Sequence, residues 1–206
     1  MSLILDHLAV VGETLEAATA HVEDLLGVTL EPGGEHDVMG THNRLLSLGP
    51  GVYLEAIAIN PEADTPKRAR WFNLDQFNGP PRLGNWIART EDLTAMLAAA
   101  PQGTGVPLAL ERGRFMWTMA VPASGQLPYD AVAPALIQWD CAVHPADVLP
   151  ERGCRLKALM LTHPRAKDLQ ESFPSLSSVP LVRIREGETP SLMAVIETPD
   201  GEVVLE

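Results

Sequence analysis

Apolar residues fill the segment Leu3-Ile4-Leu5-Asp6-His7-Leu8-Ala9-Val10-Val11, and only Asp6 and His7 interrupt it. A short, branched apolar run reads as a buried strand. The period then changes: Leu15, Ala18, Val22, Leu25 and Leu26 fall on one helical face. Thr14 stands in front as an N-cap and Gly27 where a left-handed C-terminal residue belongs, so the pattern predicts a helix over 14–26. Val28-Thr29-Leu30-Glu31 follows, then the turn-forming Pro32-Gly33-Gly34 and a polar stretch with His36, Gly40, Thr41, His42 and Asn43, read as a loop. Runs 44–48 and 52–59 flank Gly49-Pro50-Gly51 and predict an antiparallel hairpin.

The succession of strand, helix and further strands begins again at Leu83-Gly84-Asn85-Trp86-Ile87-Ala88 and at Arg155-Leu156-Lys157-Ala158-Leu159-Met160-Leu161. Internal repeats decide architecture. Three units, roughly 3–60, 83–140 and 154–206, would form one domain over 1–206. In the second, Thr90 caps a helix bearing Leu93, Met96 and Leu97, and strands follow near 106–111, 114–121 and 135–140. In the third, Pro164 opens a short helix with Leu169 and Phe173, and strands near 192–198 and 202–205 meet at Thr198-Pro199-Asp200-Gly201. Residues 61–82 carry Pro61, Pro66, Pro80 and Pro81 beside Trp71, Phe72 and Phe77, a composition that predicts an ordered connection packed on the body. Consecutive strands after each helix exclude a doubly wound parallel sheet, and the helices exclude a pure sandwich. The class is α+β, a mixed sheet with helices on one face.

Length and composition fit this reading, since 206 residues with 46% apolar side chains supply a sizeable core. A net charge of -12 argues against nucleic-acid and anionic-membrane partners, which select clustered Lys and Arg. No apolar stretch reaches the roughly 18–20 residues of a membrane span. Asp6 and His7 spoil any likeness to a signal peptide, so a soluble, cytoplasmic protein is expected. Cys141 and Cys154 are the only cysteines, too few for a disulfide framework or a thiolate metal cluster, and are expected to be small buried residues in a reducing compartment.

The unit of one strand, one helix and three strands resembles that of the vicinal oxygen chelate superfamily, and in particular its glyoxalase-like domain branch. The residues that carry the resemblance are Leu5-Asp6-His7-Leu8-Ala9-Val10, Leu26-Gly27-Val28, Gly33-Gly34-Glu35-His36, Gly40-Thr41-His42-Asn43 and Tyr53-Leu54-Glu55, with weaker echoes at Trp71-Phe72, 134–139 and 198–201. The resemblance implies that paired units curl into an open barrel, with helices on the outer face and a divalent metal on the concave one. His7 and Glu55 match two of the metal ligands. Read from the residues alone, His7 shares a strand face with Leu5 and Ala9, and Glu55 with Tyr53 and Ile57. A polar side chain in such surroundings needs a partner, so the two either bind each other in a polar pocket or bind a metal together. Imidazole and carboxylate suit zinc, manganese, nickel or iron; with no third firm ligand the alternative is no metal at all. Aligning the second unit on the first puts Asn85 at the His7 position and Gln138 at the Glu55 position, and the third unit has Lys157 near the His7 equivalent. Either His36 or His42 would have to complete a metal site.

Further candidates surround these. Thr41 and Asn43 lie with His36 in the polar stretch, and His36 is the second candidate catalytic residue. Trp86, Trp117 and Trp139 sit beside the candidate amides and would wall an apolar ligand cavity. Arg112, with Arg114, would grip a substrate carboxylate. His21 is expected to be exposed, and His144 and His163, each before a proline, to serve caps or turns. There is neither a nucleophile elbow nor a phosphate loop. The expected function is therefore a glyoxalase-like enzyme, lyase or isomerase, acting on a small oxygenated organic molecule. The resemblance implies a metal that binds two substrate oxygens and stabilises an enolate, with Glu55 as ligand or as base. A ring-cleaving dioxygenase fits less well, because Asn85 replaces a second histidine. The rival is a metal-free protein that binds or sequesters a small molecule. A homodimer is left open.

Overall fold

The computed structural model describes residues 2–206. The first unit comprises β1 (Ile4–Val11), α1 (Leu15–Leu26), β2 (Glu31–His36), β3 (Thr41–Ser47) and β4 (Tyr53–Ile59). The second comprises β5 (Arg82–Arg89), α2 (Leu93–Ala99), β6 (Val106–Arg112), β7 (Phe115–Val121) and β8 (Ala135–Trp139). Together they build one curled eight-stranded sheet in the order β2-β3-β4-β1-β5-β8-β7-β6. Each half is wired alike, with its first strand parallel to its last, β1 to β4 and β5 to β8, and the others antiparallel. The halves join where β1 and β5 pair antiparallel, so His7 lies opposite Ile87 across an approximate two-fold axis.

The third segment repeats the order of elements but not their pairing. Its strands, β9 (Arg155–Thr162), β10 (Val182–Arg185), β11 (Ser191–Thr198) and β12 (Gly201–Leu205), with α3 (Ala166–Ser172) between the first two, form a separate sheet, β10-β9-β11-β12. Here the first strand lies parallel to β10 and antiparallel to β11, not parallel to the last strand. This sheet covers the convex side of the large one. Leu156, Leu159, Ile196 and Leu205 share a core with Leu5, Leu8 and Val10 of β1, Val22 and Leu26 of α1, and Trp86 of β5.

Local chemistry accounts for most element boundaries. The Thr14 hydroxyl accepts the Ala17 N–H at 3.1 Å and Gly27 closes α1 at φ 68, both as the sequence predicts. The second helix starts later than expected: Asp92, not Thr90, is its cap, accepting the Ala95 N–H at 2.9 Å. The polar stretch 33–43 is not a loop. It is the β2–β3 hairpin, turning at 37–40, and its His36, Thr41 and Asn43 are buried against the concave face. Polar composition suggested solvent there, but these side chains satisfy one another indoors.

A β-bulge at Asp6 breaks the period of two in β1. Leu5 pairs with Ala88 and His7 with Ile87, one residue having been inserted. Leu3, Leu5, Leu8 and Val10 therefore join the convex core, Ala9 and Val11 the concave one, and Asp6 and His7 both turn inward. His7 does not share a face with Leu5, as strict alternation would have it.

Residues 61–82 are an ordered connection packed on the body, as their aromatic content predicts, and they plug the concave face of the sheet. Trp71 and Phe72 are buried among Ile57, Ile87, Trp117 and Ile137. The chain reaches that position through Phe72 and Asn73, both left-handed, at φ 57 and 55, and the Asn73 N–H donates to the Gly125 carbonyl at 2.9 Å. Gly125 is itself left-handed at φ +76, and a Cβ on it would lie 2.0 Å from the Arg70 carbonyl oxygen. Gly125→Ala should therefore dislodge the plug, lowering stability by about 2 kcal/mol and the melting temperature by about 4–8 °C for a chain of this size. Gly103→Ala, where φ is +93 but nothing lies within 4 Å, measures the strain without the collision. Calorimetry of the pair that shows equal losses would remove Gly125 as the anchor.

Candidate functional site

Seven strands of the large sheet and the plug enclose a cavity of about 30 Å³, walled on one side by His7, His36, Asn43 and Glu55 and on the other by Trp117, Met119, Ile137 and Trp139. All four polar side chains are buried.

The His7 ring is fixed from behind. Asp6 is completely buried, and its carboxylate accepts from His7 Nδ1 at 2.6 Å, Trp139 Nε1 at 2.9 Å, His144 Nε2 at 2.9 Å and Arg89 Nη1 at 3.2 Å. Burial opposes the charge on Asp6, but the hydrogen bonds from His144 and His7 prevail and hold its carboxyl well below the usual carboxylate range. A carboxylate only accepts, so the His7 proton facing it sits on Nδ1 and Nε2 is left toward the cavity. Tyr53 stacks on the other face of the ring at 4.4 Å. Burial, then the nearby Asp6 and Glu55, push its phenol far above the ordinary tyrosine range, so it stays protonated.

Glu55 is fixed similarly. Asn43 Nδ2 donates to Glu55 Oε1 at 2.5 Å, while Asn43 Oδ1 accepts from the Gly34 N–H and from Arg112 Nη1, both at 2.9 Å. Donors surround one end of the Asn43 amide and acceptors the other, which sets its orientation. This close approach requires glycines: a Cβ on Gly33 would fall 2.0 Å from Asn43 Oδ1, and one on Gly34 would fall 2.7 Å from Arg112 Cδ. Glu55 Oε2 is left 3.7 Å from His7 Nε2, beyond hydrogen-bonding distance. One atom of each group is thus uncommitted, and the two face each other.

Arg112, on the last strand of the sheet, reaches across the open edge to the first hairpin and also donates to His36 Nε2 at 3.2 Å. Since guanidinium never accepts, His36 carries its proton on Nδ1 and donates it to Thr41 Oγ1 at 3.0 Å. The Trp71 indole N–H is buried with no partner among the described residues.

Of the residues singled out in the sequence, His7, His36, Asn43, Glu55, Arg112, Trp117 and Trp139 meet at this cavity, and Thr41 supports His36 from behind. Three do not. Trp86 points to the convex core, donating to the Val132 carbonyl at 2.9 Å. Gln138 lies on the outer side, where it accepts the Leu93 N–H and donates to Asp140. Asn85 is on the concave face but beyond Phe72. The strand register explains the error: Ile87 lies opposite His7, and Ile137, paired with Arg89, takes the place that Glu55 holds opposite Ala9. Sequence reasoning missed Asp6, Tyr53, Trp71 and His144. A charge inside an apolar run was the available signal for Asp6; His144 caps its turn as expected but also reaches Asp6.

The donor set does not fit a metal well. Among the described residues no three His, Cys, Asp or Glu side chains form a ligand group. The second half supplies isoleucines, and His36 and Asn43 are committed to a guanidinium, whose charge disfavours a second cation nearby.

Two βαβββ units joined into a curled sheet around a buried polar site define the vicinal oxygen chelate superfamily. The profile of the glyoxalase-like domain matches residues 5–177, and the chain belongs to that family. The fold is similar to that of a hypothetical protein from Staphylococcus aureus, at 15% identity and TM-score 0.64, over 93% of this chain and 88% of that one. Weaker likenesses are to methylmalonyl-CoA epimerase from Mycobacterium tuberculosis (20% identity, TM-score 0.44, 68% of this chain and 88% of that one) and to an extradiol ring-cleaving dioxygenase from B. fuscum (11%, 0.39, 84% and 45%). A search of curated proteins finds no match. No helix of the described residues is long and apolar enough to cross a membrane.

Burial, followed by the Arg112 charge, holds His36 far below the ordinary histidine range. The unfolded chain takes up this proton below about pH 6.5, the folded one does not, and stability therefore falls with pH by up to about 1.4 kcal/mol per unit from this group. Urea midpoints between pH 6.5 and 5 should decline less steeply in His36→Gln than in the wild type. Equal slopes would place the neutral imidazole elsewhere.

Proposed function

We propose that this protein is an enzyme of the lyase or isomerase kind, moving a proton at a carbon next to a carbonyl or carboxylate of a small oxygenated substrate. The observation that carries the reading is the pair of uncommitted atoms, His7 Nε2 and Glu55 Oε2, facing each other at 3.7 Å while every other polar atom of the two side chains is tied down. Such a pair can take a proton from one side of a carbon and return one to it. When the C–H bond breaks, its electron pair moves to the substrate oxygen as an enolate, and the proton passes to Glu55 or His7. The Arg112 guanidinium and the orphan Trp71 N–H supply a charge and a donor for that oxygen in a site shielded from water. Asp6 orients His7 and stabilises it when protonated. No step is routed through a metal, since the donors present do not form a ligand set.

About 30 Å³ holds little more than a water, so a substrate enters as Trp71 and Phe72 give way. The apolar wall of Trp117, Met119 and Ile137 suits a substrate with one oxygenated and one hydrocarbon end.

The test is exchange of substrate C–H for deuterium in D2O, followed by NMR on a panel of 2-oxo acids, 2-hydroxy acids and 2-methyl thioesters, with chelator present. The wild type should exchange a member of the panel, Glu55→Gln should slow it by about 10²–10⁴-fold, and His7→Asn similarly. Turnover abolished by the chelator and restored by a divalent ion would overturn the metal-free route. Tight binding without exchange would favour a sequestering protein instead.

A further inference from the structure

A second and larger chamber, of about 420 Å³, lies on the far side of Phe72 from His7 and Glu55. It opens at the seam between the large sheet and the third unit, whose Ser191 and Leu192 form part of its wall. Its volume falls in the range of about 300–1,000 Å³ typical of small-molecule sites.

Its chemistry differs from that of the first cavity. Four carboxamides, Asn73, Gln76, Asn85 and Gln126, line it. Asn85 is only 2% exposed as a residue, and it lines the chamber together with the other three amides. Amides gathered on the wall of a cavity present donors and acceptors to whatever enters it. Three charged residues also line it, Arg82, Asp130 and Glu206. Arg82 donates to the carbonyls of Asn78 and Pro80 and stacks 4.3 Å over Phe77, and Asp130 accepts from His163 Nε2 at 3.1 Å.

The walls are also held in uncommon backbone conformations. Phe72 and Asn73 on one side, and Tyr129, Asp130 and Ala131 on the other, are left-handed without being glycine, at φ 57, 55, 53, 51 and 66. Consecutive residues stay there only where the surroundings over-determine them, and such strain gathers around binding sites.

We infer that this chamber binds a neutral polyhydroxylated ligand, of mono- to disaccharide size. A carboxamide presents a donor and an acceptor in one plane, and a hydroxyl is both donor and acceptor, so neighbouring hydroxyls of a sugar match neighbouring amides. With charges of both signs on the wall, Arg82 against Asp130 and Glu206, a net charge of either sign on the ligand meets a like charge. Phe72 offers an apolar surface for the carbon face of the ring. This site does not rest on the proton-transfer reading; the two share only Phe72, which lines both cavities.

The experiment is titration calorimetry, with saturation-transfer NMR, on the full chain with glucose, maltose and myo-inositol, against gluconate and glucosamine as charged counterparts. At least one neutral compound should bind more tightly than the charged ones. Asn85→Leu and Gln126→Leu should each weaken it by roughly tenfold, the loss of one or two hydrogen bonds, while His7→Ala leaves it unchanged. Gln126 is exposed, so its variant keeps the fold even if Asn85→Leu does not. Absence of binding by all three neutral compounds, equal binding of the charged ones, unchanged affinity in Gln126→Leu, or loss in His7→Ala would each overturn the assignment.

Discussion

The Asp6 carboxylate is the constraint on which the site depends. A fully buried carboxylate is tolerated only when its oxygens are satisfied, and here the four donors come from four places: His7 beside it, Arg89 on β5, Trp139 on β8 and His144 on the segment after β8. The β-bulge that turns Asp6 inward therefore does two things. It joins both halves of the sheet at their shared edge, and it fixes which nitrogen of His7 looks into the cavity. Losing the carboxylate would leave several donors unpaired at once, which is why the network acts as a unit and not as a set of independent contacts.

A second constraint is the plug. A curled sheet of eight strands has a concave face too large for its own side chains to fill, and residues 61–82 supply Trp71 and Phe72 to divide it. On one side of Phe72 remains a small chamber rich in committed charge. On the other is a larger chamber rich in amides. The plug is an irregular segment whose backbone is tied to the body through Asn73 and Gly125, with Trp71, Phe72 and Leu74 packed in the concave core and the Arg70–Asp75 ion pair at 2.6 Å closing within it. Segments of that kind open at lower free energy than core strands, so access to the inner chamber is a property of this loop.

Much of this was legible in the chain. The apolar periods gave α1 with both its caps and the β3–β4 hairpin, because those signals are local. The pairing of His7 with Glu55 was legible only through the resemblance, since adjacency of β1 and β4 is a property of topology. Where the reading failed, a non-local cause had taken over. One inserted residue at Asp6 reversed the faces of half a strand, and the second unit was aligned on the first by residue type, which chose Asn85 and Gln138 where register chooses Ile87 and Ile137. The third unit echoes the others in element order, yet its sheet pairs differently, and nothing in its apolar pattern states which strand becomes the neighbour of β9.

The two isoleucines give the approximate two-fold axis its meaning. A pair of equal halves would set two polar dyads around the axis and enclose a cation. Here one half carries His7 and Glu55, while the other presents Ile87, Ile137, Trp117 and Met119. The second half still contributes one charge, but from its far edge, where Arg112 crosses to Asn43. The site is therefore polar along one wall and apolar along the other, with a guanidinium at the seam. Two opposed wall chemistries leave an asymmetric molecule one favourable orientation, with its oxygens toward Arg112 and its hydrocarbon part toward Trp117. Under the proposed proton transfer, that orientation would turn the carbon beside the oxygenated group toward the uncommitted atoms of His7 and Glu55. The asymmetry of the repeat is thus what turns a symmetric cage into a directional site.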